Sequence, residues 1–457
     1  MKREVSPNGE RDENVFDIQQ GVSINIFVKK EKRRSGLAKV YYADYFGRRE
    51  KKYEYLSENS LDKIPWSEVT PNEPFYFYIP RNESNRGAYE QGFSIRDLMP
   101  EHTTGIVTAR DGLVINADKD KLLSQIELFA DPNKSDDEIR SLFFGNKKAG
   151  KYLSGDSRGW KLTEARKRIR NNDHSILIQK IAYRPYDVQY IYYTPDMVDW
   201  GREKLMSHLL AGENYGLIIP RQAATDNWSH VQITRYMADN RIHYSNKGIP
   251  IECPLYLYVE NQIDAVQKTP NLNLTIIGVF EKTLGMKFVP NDRDIKDGEF
   301  GPLDVLDYIY AVLHSHRFRS TYLEFLKYDF PRIPYPQDSG YFKRMKAYGR
   351  ILRELHTDES DTCCEENKFV GSHYPLVEHP VYSDGKILLN KSDDAIINVP
   401  DHIWDMFFGG YKPLQKWLKD RRGTVLSAKD IRHFRHIVYS LTKTDQIMQE
   451  IDQQIEL

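Results

Sequence analysis

The chain has 457 residues, more than one compact core usually holds, so two or three domains or lobes are expected. Lys plus Arg number 65 and Asp plus Glu 66, a net charge of −1, which excludes a uniformly basic molecule and confines any nucleic-acid surface to a local patch. Its three cysteines, Cys253, Cys363 and Cys364, lack the even count of a secreted disulfide scaffold; no run approaches the ~18 apolar residues of a membrane span, and without a signal peptide the cytoplasm is the expected setting.

Residues 1–13 are polar and expected to fray. Val22 to Val28 alternates and is β-branched, which predicts a strand. Lys39 to Tyr45 predicts a second, joined to the first as a hairpin by a basic turn at Lys29–Gly36. Pro74 to Ile79 reads as a short aromatic strand. Asp111-Gly112, between apolar runs at 105–108 and 113–115, signals a tight turn. Residues 118–146 and 161–171 read as helical. From about 176 to 280 the chain is strand-rich: 181–187, 190–193, 216–220, 231–234 and 255–258, with a short basic helix from Arg202 to Leu210. The 30 tyrosines suit such half-buried strands. From 303 the period changes. Leu303, Leu306, Tyr310 and Leu313 share a helical face, as do Phe342, Met345, Gly349, Leu352 and His356. An acidic linker covers 357–367. Ser427 with Asp430 resembles a capping box, opening a helix whose stripe is Ile431, Phe434, Val438, Leu441, Met448 and Ile451.

Several chemistries leave no trace. There is no Gly-Lys-Ser/Thr phosphate cradle, no Gly-x-Gly, no Pro-Pro dipeptide, no Gly-x-Ser-x-Gly elbow and no Cys/His set at zinc spacing. Asp292, Asp294 and Lys296 form a carboxylate–lysine trio of the kind that holds Mg²⁺, but such strings are common in solvated loops.

Seven strings spread along the chain carry a resemblance: Val15-Phe16-Asp17-Ile18-Gln19-Gln20-Gly21-Val22, Tyr183-Arg184-Pro185-Tyr186-Asp187, Pro220-Arg221-Gln222, Ser229-His230-Val231, Tyr244-Ser245-Asn246-Lys247-Gly248, Phe325 to Pro334, and Gly409-Gly410-Tyr411-Lys412-Pro413 to Leu418. Together they resemble the type ISP restriction–modification enzymes, whose specificity domain follows an adenine methyltransferase core. The resemblance implies an α+β fold in three parts: 1–60 as the closing hairpin of an N6-adenine methyltransferase domain, 61–302 as a strand-rich target-recognition lobe, and 303–457 as a helical C-terminal part. It also implies that catalysis lies in an upstream methyltransferase, helicase and nuclease polypeptide or partner subunit. S-adenosylmethionine, ATP and Mg²⁺ then belong to those parts, and this chain holds no cofactor or metal of its own.

A target-recognition domain needs groups that fix phosphates and groups that reach base edges. Arg pairs bidentately with guanine, and Gln or Asn with adenine. This makes Arg221, Gln222, Thr225, Asn227, Trp228 and Asn246 the candidate base readers, with Trp228 placed either on a sugar or under the loop. Arg166, Lys167, Arg168, Arg170, Arg202, Lys204 and Lys247 are the phosphate candidates. Thr108 and Arg110 mark a second reading turn. The expected partner is double-stranded DNA, with no membrane. Two functions stay open: a recognition module without catalysis of its own, or the complementing subunit of a split adenine methyltransferase.

Overall fold

The computed structural model describes residues 6, 9–18, 21–29, 36–145, 151–244, 248–260, 266–293, 295–357 and 366–457. They fall into two compact units, Met1–Glu83 and Ser84–Leu457.

In the first unit, β1 (Val40–Tyr42) and β2 (Ser67–Val69) flank helix α1 (Arg49–Glu58). β1 pairs antiparallel with β2, Val40 opposite Val69, and not with residues 22–28. The expected hairpin is therefore absent. Residues 22–28 form no ladder, and Ile24, Ile26, Phe27 and Val28 stand exposed. An alternating pattern needs a buried face to become a strand, and none is supplied here. Pro74–Ile79 is a turn, not a strand, as prolines that remove ladder donors favour. The segment near residue 14 is tied to α1: Arg49 Nε donates to the Asn14 carbonyl at 2.8 Å, and Lys52 pairs with Asp12 at 2.7 Å.

After a short helix at Arg86–Glu90, a two-residue strand at Phe93–Ser94 and a helical turn at Ile95–Leu98, the second unit continues with β3 (Thr103–Thr104) and β4 (Ile115–Asn116), then helices α2 (Lys119–Ala130), α3 (Asp136–Phe144) and α4 (Leu162–Ile169). The single helix expected over 118–146 is two. Asp131-Pro132 breaks it, and Ser135 with Glu138 restarts it as a full capping box. The turn expected at Asp111-Gly112 is one helical turn, Asp111–Val114. Strands β5 (Ile178–Arg184) and β6 (Asp187–Tyr192) and helix α5 (Glu203–Leu210) follow. Leu122, Ile126, Phe129, Leu162, Ile181 and Ile191 make this lobe's core.

Next come β7 (Gly216–Pro220), β8 (Gln232–Thr234), β9 (Met237–Ala238), β10 (Pro250–Pro254), β11 (Tyr256–Glu260) and β12 (Val266–Pro270). β7, β8 and β10 build an antiparallel sheet of order β3-β10-β7-β8, β9 completes a mixed sheet of order β9-β5-β6-β4, and β11 and β12 pair with each other as a two-stranded antiparallel sheet. Only two residues separate β8 from β9, so the chain steps directly from one sheet to the other. Glu252 on β10 stitches the step: its buried carboxyl accepts from the Ala238 amide at 2.9 Å.

Helices α6 (Leu274–Leu284), α7 (Pro302–His314) and α8 (Ser339–Thr357) cover the antiparallel sheet. One core takes Leu217 and Ile219 from the sheet together with Leu306, Tyr310 and Leu352 from the helices. Leu306, Tyr310 and Leu313 of the first predicted stripe and Phe342, Met345 and Leu352 of the second are buried in it, with Leu303 packed partly buried against it. Gly349 permits the contact of α7 with α8, since a Cβ there would lie 1.7 Å from the Asp307 carbonyl. Arg353 grips Asp307 across it with two bonds, at 2.7 and 3.0 Å.

The last part is not wholly helical. It carries a four-stranded sheet of β13 (Lys368–Val370), β14 (Val381–Ser383), β15 (Lys386–Leu388) and β16 (Ala395–Ile397), in the order β13-β16-β15-β14. Three residues are too few to show a period of two. Helix α9 (Pro413–Asp420) and the long α10 (Ala428–Gln454) pack on it. α10 opens on the capping box read from the sequence: Ser427 Oγ accepts from the Asp430 amide at 3.2 Å, and Asp430 accepts from the Ser427 amide at 2.9 Å. Its early stripe lies in the C-terminal core, while Ile447 and Ile451 reach the central one. The whole is an α+β fold.

Candidate nucleic-acid interface

Pro220 and Pro250 face each other at the end of the β7–β10 ladder. Neither has an N–H, so pairing stops and the chain leaves as a loop from Arg221 to His230. Arg221 is exposed. Its Nε contacts Asp329 at 3.4 Å, and its Nη atoms make no hydrogen bond among the described residues. Asp226 receives Lys327 Nζ at 2.9 Å. Two ion pairs thus hold the loop beside the Phe325–Pro334 segment. The Arg221–Asp329 contact is solvent-exposed on both sides and contributes only about 0–1 kcal/mol, so a stronger anionic or base partner can displace it. Gln222 is half-buried. Thr225 Oγ1 accepts from the Asn227 amide at 3.2 Å, a side-chain turn that presents an exposed Asn227.

Trp228 does not face outward. It is 3% exposed and packs in the central core, with the Arg319 guanidinium 5.7 Å from its ring. Of the two placements expected for it, the one beneath the loop is found. Burial takes its indole away from any sugar or base.

His230 ends the loop. Its Nε2 meets the Tyr244 carbonyl at 2.7 Å and its Nδ1 accepts from the Ser229 amide at 3.4 Å, which together require the neutral, Nε2-protonated ring. Burial holds its pKa down to about 4. Tyr244 is exposed, and Gly248 lies against the Gln222 carbonyl, so both ends of the second candidate turn are beside the first loop. Asn246 and Lys247 themselves lie outside the described residues. The result is a cleft of about 150 Å³ lined by Ala223, Ala224, Thr225, Asn227, His230, Tyr244, Phe407 and Gly410.

The basic candidates divide by helix face. Arg166 is buried and structural: it pairs with Asp136 and donates to the carbonyls of Phe129, Asp131 and Lys134 at 2.7–2.8 Å. It therefore cannot meet a phosphate. Lys167, Arg168 and Arg170 are exposed; Lys167 contacts Glu164 at 3.3 Å, and Arg168 contacts Asp196 at 3.1 Å. Arg168 so reaches the Thr194–Gly201 loop. Arg110 reaches the same loop from inside, bonding Met197 O at 2.7 Å and Asp199 at 2.5 Å with its guanidinium 4.0 Å from the Trp160 ring. Thr108 is buried and bonds Asp111. The expected second reading turn is accordingly an internal brace. Arg202 leaves the loop in a left-handed conformation, φ 60°, with its guanidinium 5.1 Å from the ring of Trp200. Trp200 is 58% exposed, and Lys204 is exposed one residue into α5. Asp292, the one described carboxylate of the Asp292, Asp294 and Lys296 trio, caps α7 by accepting from the Leu303 amide at 2.9 Å; Asp294 lies outside the described residues.

A family model described as the Type ISP C-terminal specificity domain matches residues 97–450. The chain belongs to that family. Among the solved structures that share its fold are three determined with DNA or a DNA substrate mimic. Two are the ATP-dependent Type ISP restriction-modification enzyme LlaBIII bound to DNA (TM-score 0.64, 16% identity, 90% of this chain and 28% of that one), and a DrdV–DNA complex determined by cryoEM (0.66, 19%, 90% and 43%). The third is a nuclease-deletion mutant of the Type ISP enzyme LlaGI in complex with a DNA substrate mimic (0.60, 17%, 90% and 33%). The chain thus spans less than half the length of each. No curated protein sequence matches it.

In this Type ISP specificity domain, sequence reading missed three residues: Phe407, which lines the cleft, Trp200, which stands exposed on the Thr194–Gly201 loop, and Lys327, which holds Asp226 of the 221–230 loop. Phe407 sits next to the Gly409-Gly410 string without belonging to it. Trp200 stands exposed in a loop that no periodic pattern marks. Lys327 lies within the family string but gave no hint that it faces Asp226, because that contact joins residues 101 apart. Among the described residues no helix is long and apolar enough to cross a membrane.

Proposed function

We propose that this specificity domain recognises a defined sequence in double-stranded DNA for a restriction–modification system. The observation that carries the reading is the Arg221–Asn227 loop: guanidinium and amide groups exposed beside a cleft, on a loop rooted by buried Trp228 and His230. A rigid root with a polar tip is what base readout needs. Arg221 and Asn227, with Gln222 and Thr225 beside them, read base edges. Arg168, Arg170, Arg202 and Lys204, with Trp200, meet the backbone. That three structures of this fold are of proteins in complex with DNA supports the assignment. Adenine-N6 methylation and cleavage are then performed by other polypeptide, which binds S-adenosylmethionine, ATP and Mg²⁺.

The test is selection from random duplexes with the purified chain. Arg221→Ala is expected to relax preference at one position by ~1–3 kcal/mol, while Arg168→Ala with Arg170→Ala weakens all sequences alike and lowers the salt slope by about 2. An unchanged preference in Arg221→Ala removes that loop as the reader.

A second reading, completion of a split adenine methyltransferase, is favoured by one observation. Ile24, Ile26, Phe27 and Val28 are exposed in a segment that forms no ladder, as suits a strand that joins another chain's sheet. Co-expression with a catalytic half separates the two: complementation makes DNA binding depend on that half.

A further inference from the structure

The cleft is closed by a turn that arrives from far along the chain. Phe408 and Tyr411 bridge each other, with bonds of 2.8 and 3.1 Å. Gly409 and Gly410 between them have φ of 60° and 76°. Two consecutive left-handed residues make a tight reversal that glycine adopts most readily. Phe408 roots the turn in the core, 5.2 Å from Tyr186 and 5.0 Å from His356, ring to ring.

The tip grips both loops of the cleft. The Gly409 carbonyl accepts from the Tyr244 amide at 2.7 Å, and the Gly409 amide donates to the Ser229 carbonyl at 2.8 Å. The Gly410 amide donates to Ser229 Oγ at 3.3 Å. Tyr411 Oη donates to the Arg241 carbonyl at 3.1 Å. There is no room for a side chain: a Cβ on Gly409 would lie 2.4 Å from His243 Cδ2, and one on Gly410 would lie 2.1 Å from the Tyr244 carbonyl oxygen and 2.7 Å from His230 Nε2. Phe407, at the base of the turn, contributes a partly exposed ring to the lining.

We infer that the Phe407–Tyr411 turn is a specificity-determining clasp: it sets the spacing of the 221–230 and 241–244 loops, and thereby the base pairs they reach. The inference rests on the DNA-reading proposal. Gly409, Gly410 and Tyr411 are positioning residues that act through the loops, while Phe407 faces the cleft itself. Because base readout needs side chains held within about half an ångström, displacing Tyr244 and Ser229 alters discrimination before it alters backbone attraction, which depends on charge alone.

The experiment uses the full chain and two duplexes, the best sequence from the random selection and a scrambled one, with melting temperature measured alongside. Gly410→Ala is expected to cut the matched-to-scrambled affinity ratio by roughly tenfold or more, leaving the scrambled affinity within about twofold. Tyr411→Phe removes one hydroxyl bond and keeps the ring. It is expected to shift the ratio in the same direction by a smaller factor at an unchanged melting temperature. Phe407→Ala is expected to lower the ratio also. A wild-type ratio in both Tyr411→Phe and Phe407→Ala overturns the clasp. So does a Gly410→Ala protein that loses matched and scrambled binding equally. A wild-type chain that prefers no duplex overturns the DNA-reading proposal, and the clasp with it.

Discussion

Arg166 and Arg168 are two positions apart on α4, which places them roughly 200° apart around its axis, and their roles divide accordingly. Arg166 satisfies three carbonyls and Asp136; Arg168 faces solvent. Arg166→Ala is expected to destabilise the fold by roughly 3 kcal/mol, as removal of one member of a largely buried pair does, with no change in the salt slope of DNA binding. Chemical denaturation and a salt titration on the same variant check both halves. Glu252 makes a second case. Its carboxyl is fully buried, one oxygen bonds the Ala238 amide, and the other has no partner among the described residues. Burial pushes its pKa up to about 8 from the usual 4.5. The raised value means that stability is fully present below pH 4.5, where both states are protonated, and declines as pH rises to about 8, because the unfolded chain gives up the proton first. Glu252→Gln is expected to remove that decline, about 1.4 kcal/mol per pH unit over the window, seen as melting temperatures that converge at low pH and exceed the wild type's at pH 8. Equal curves for the two proteins refute it.

At the scale of elements, boundaries follow local chemistry wherever a cap or breaker is present. Ser427 and Asp430 start α10, Asp131-Pro132 parts α2 from α3, and Pro220 with Pro250 ends a ladder. Ser427→Ala is expected to cost about 1 kcal/mol. Since α10 touches both the C-terminal and the central core, the loss should appear in one cooperative unfolding transition of the second unit. Two separate transitions would show that the cores melt independently. Elements without such signals were misread. Residues 22–28 have a strand's pattern and no ladder, while 368–397 form a sheet from strands too short to show a pattern.

The whole molecule carries almost no net charge, so the proposed DNA binding would draw on a few local cations and fall with salt by a small, countable slope. Its stability has an acid limit as well as the decline toward pH 8 set by Glu252. His230, His243, His314 and His356 are buried, and burial depresses all four pKa values, to about 4 for His230 and about 3 for His356. Depressed values leave stability intact above pH 6.5 and lost as pH falls below it, because the unfolded chain takes up protons that the folded one refuses. Melting temperature is therefore expected to peak near neutrality and drop steeply between pH 6.5 and 4. A flat profile across that window contradicts the buried-neutral assignment.

From residue order alone came the family, the α+β class, the helical stripes of α7, α8 and α10, and the loop at 221–227, because periodicity, caps and breakers act over a few neighbouring residues and short strings survive intact in a chain. What only the tertiary structure decided is which polar groups face out. Trp228, Arg110, Thr108 and Arg166 look like contact residues in the sequence and are buried braces. The Gly409-Gly410 turn looks like a connection and holds two loops some 170 residues away. Burial and long-range contact depend on how elements pack, and packing is set by the sum of many weak apolar contacts that no local pattern contains.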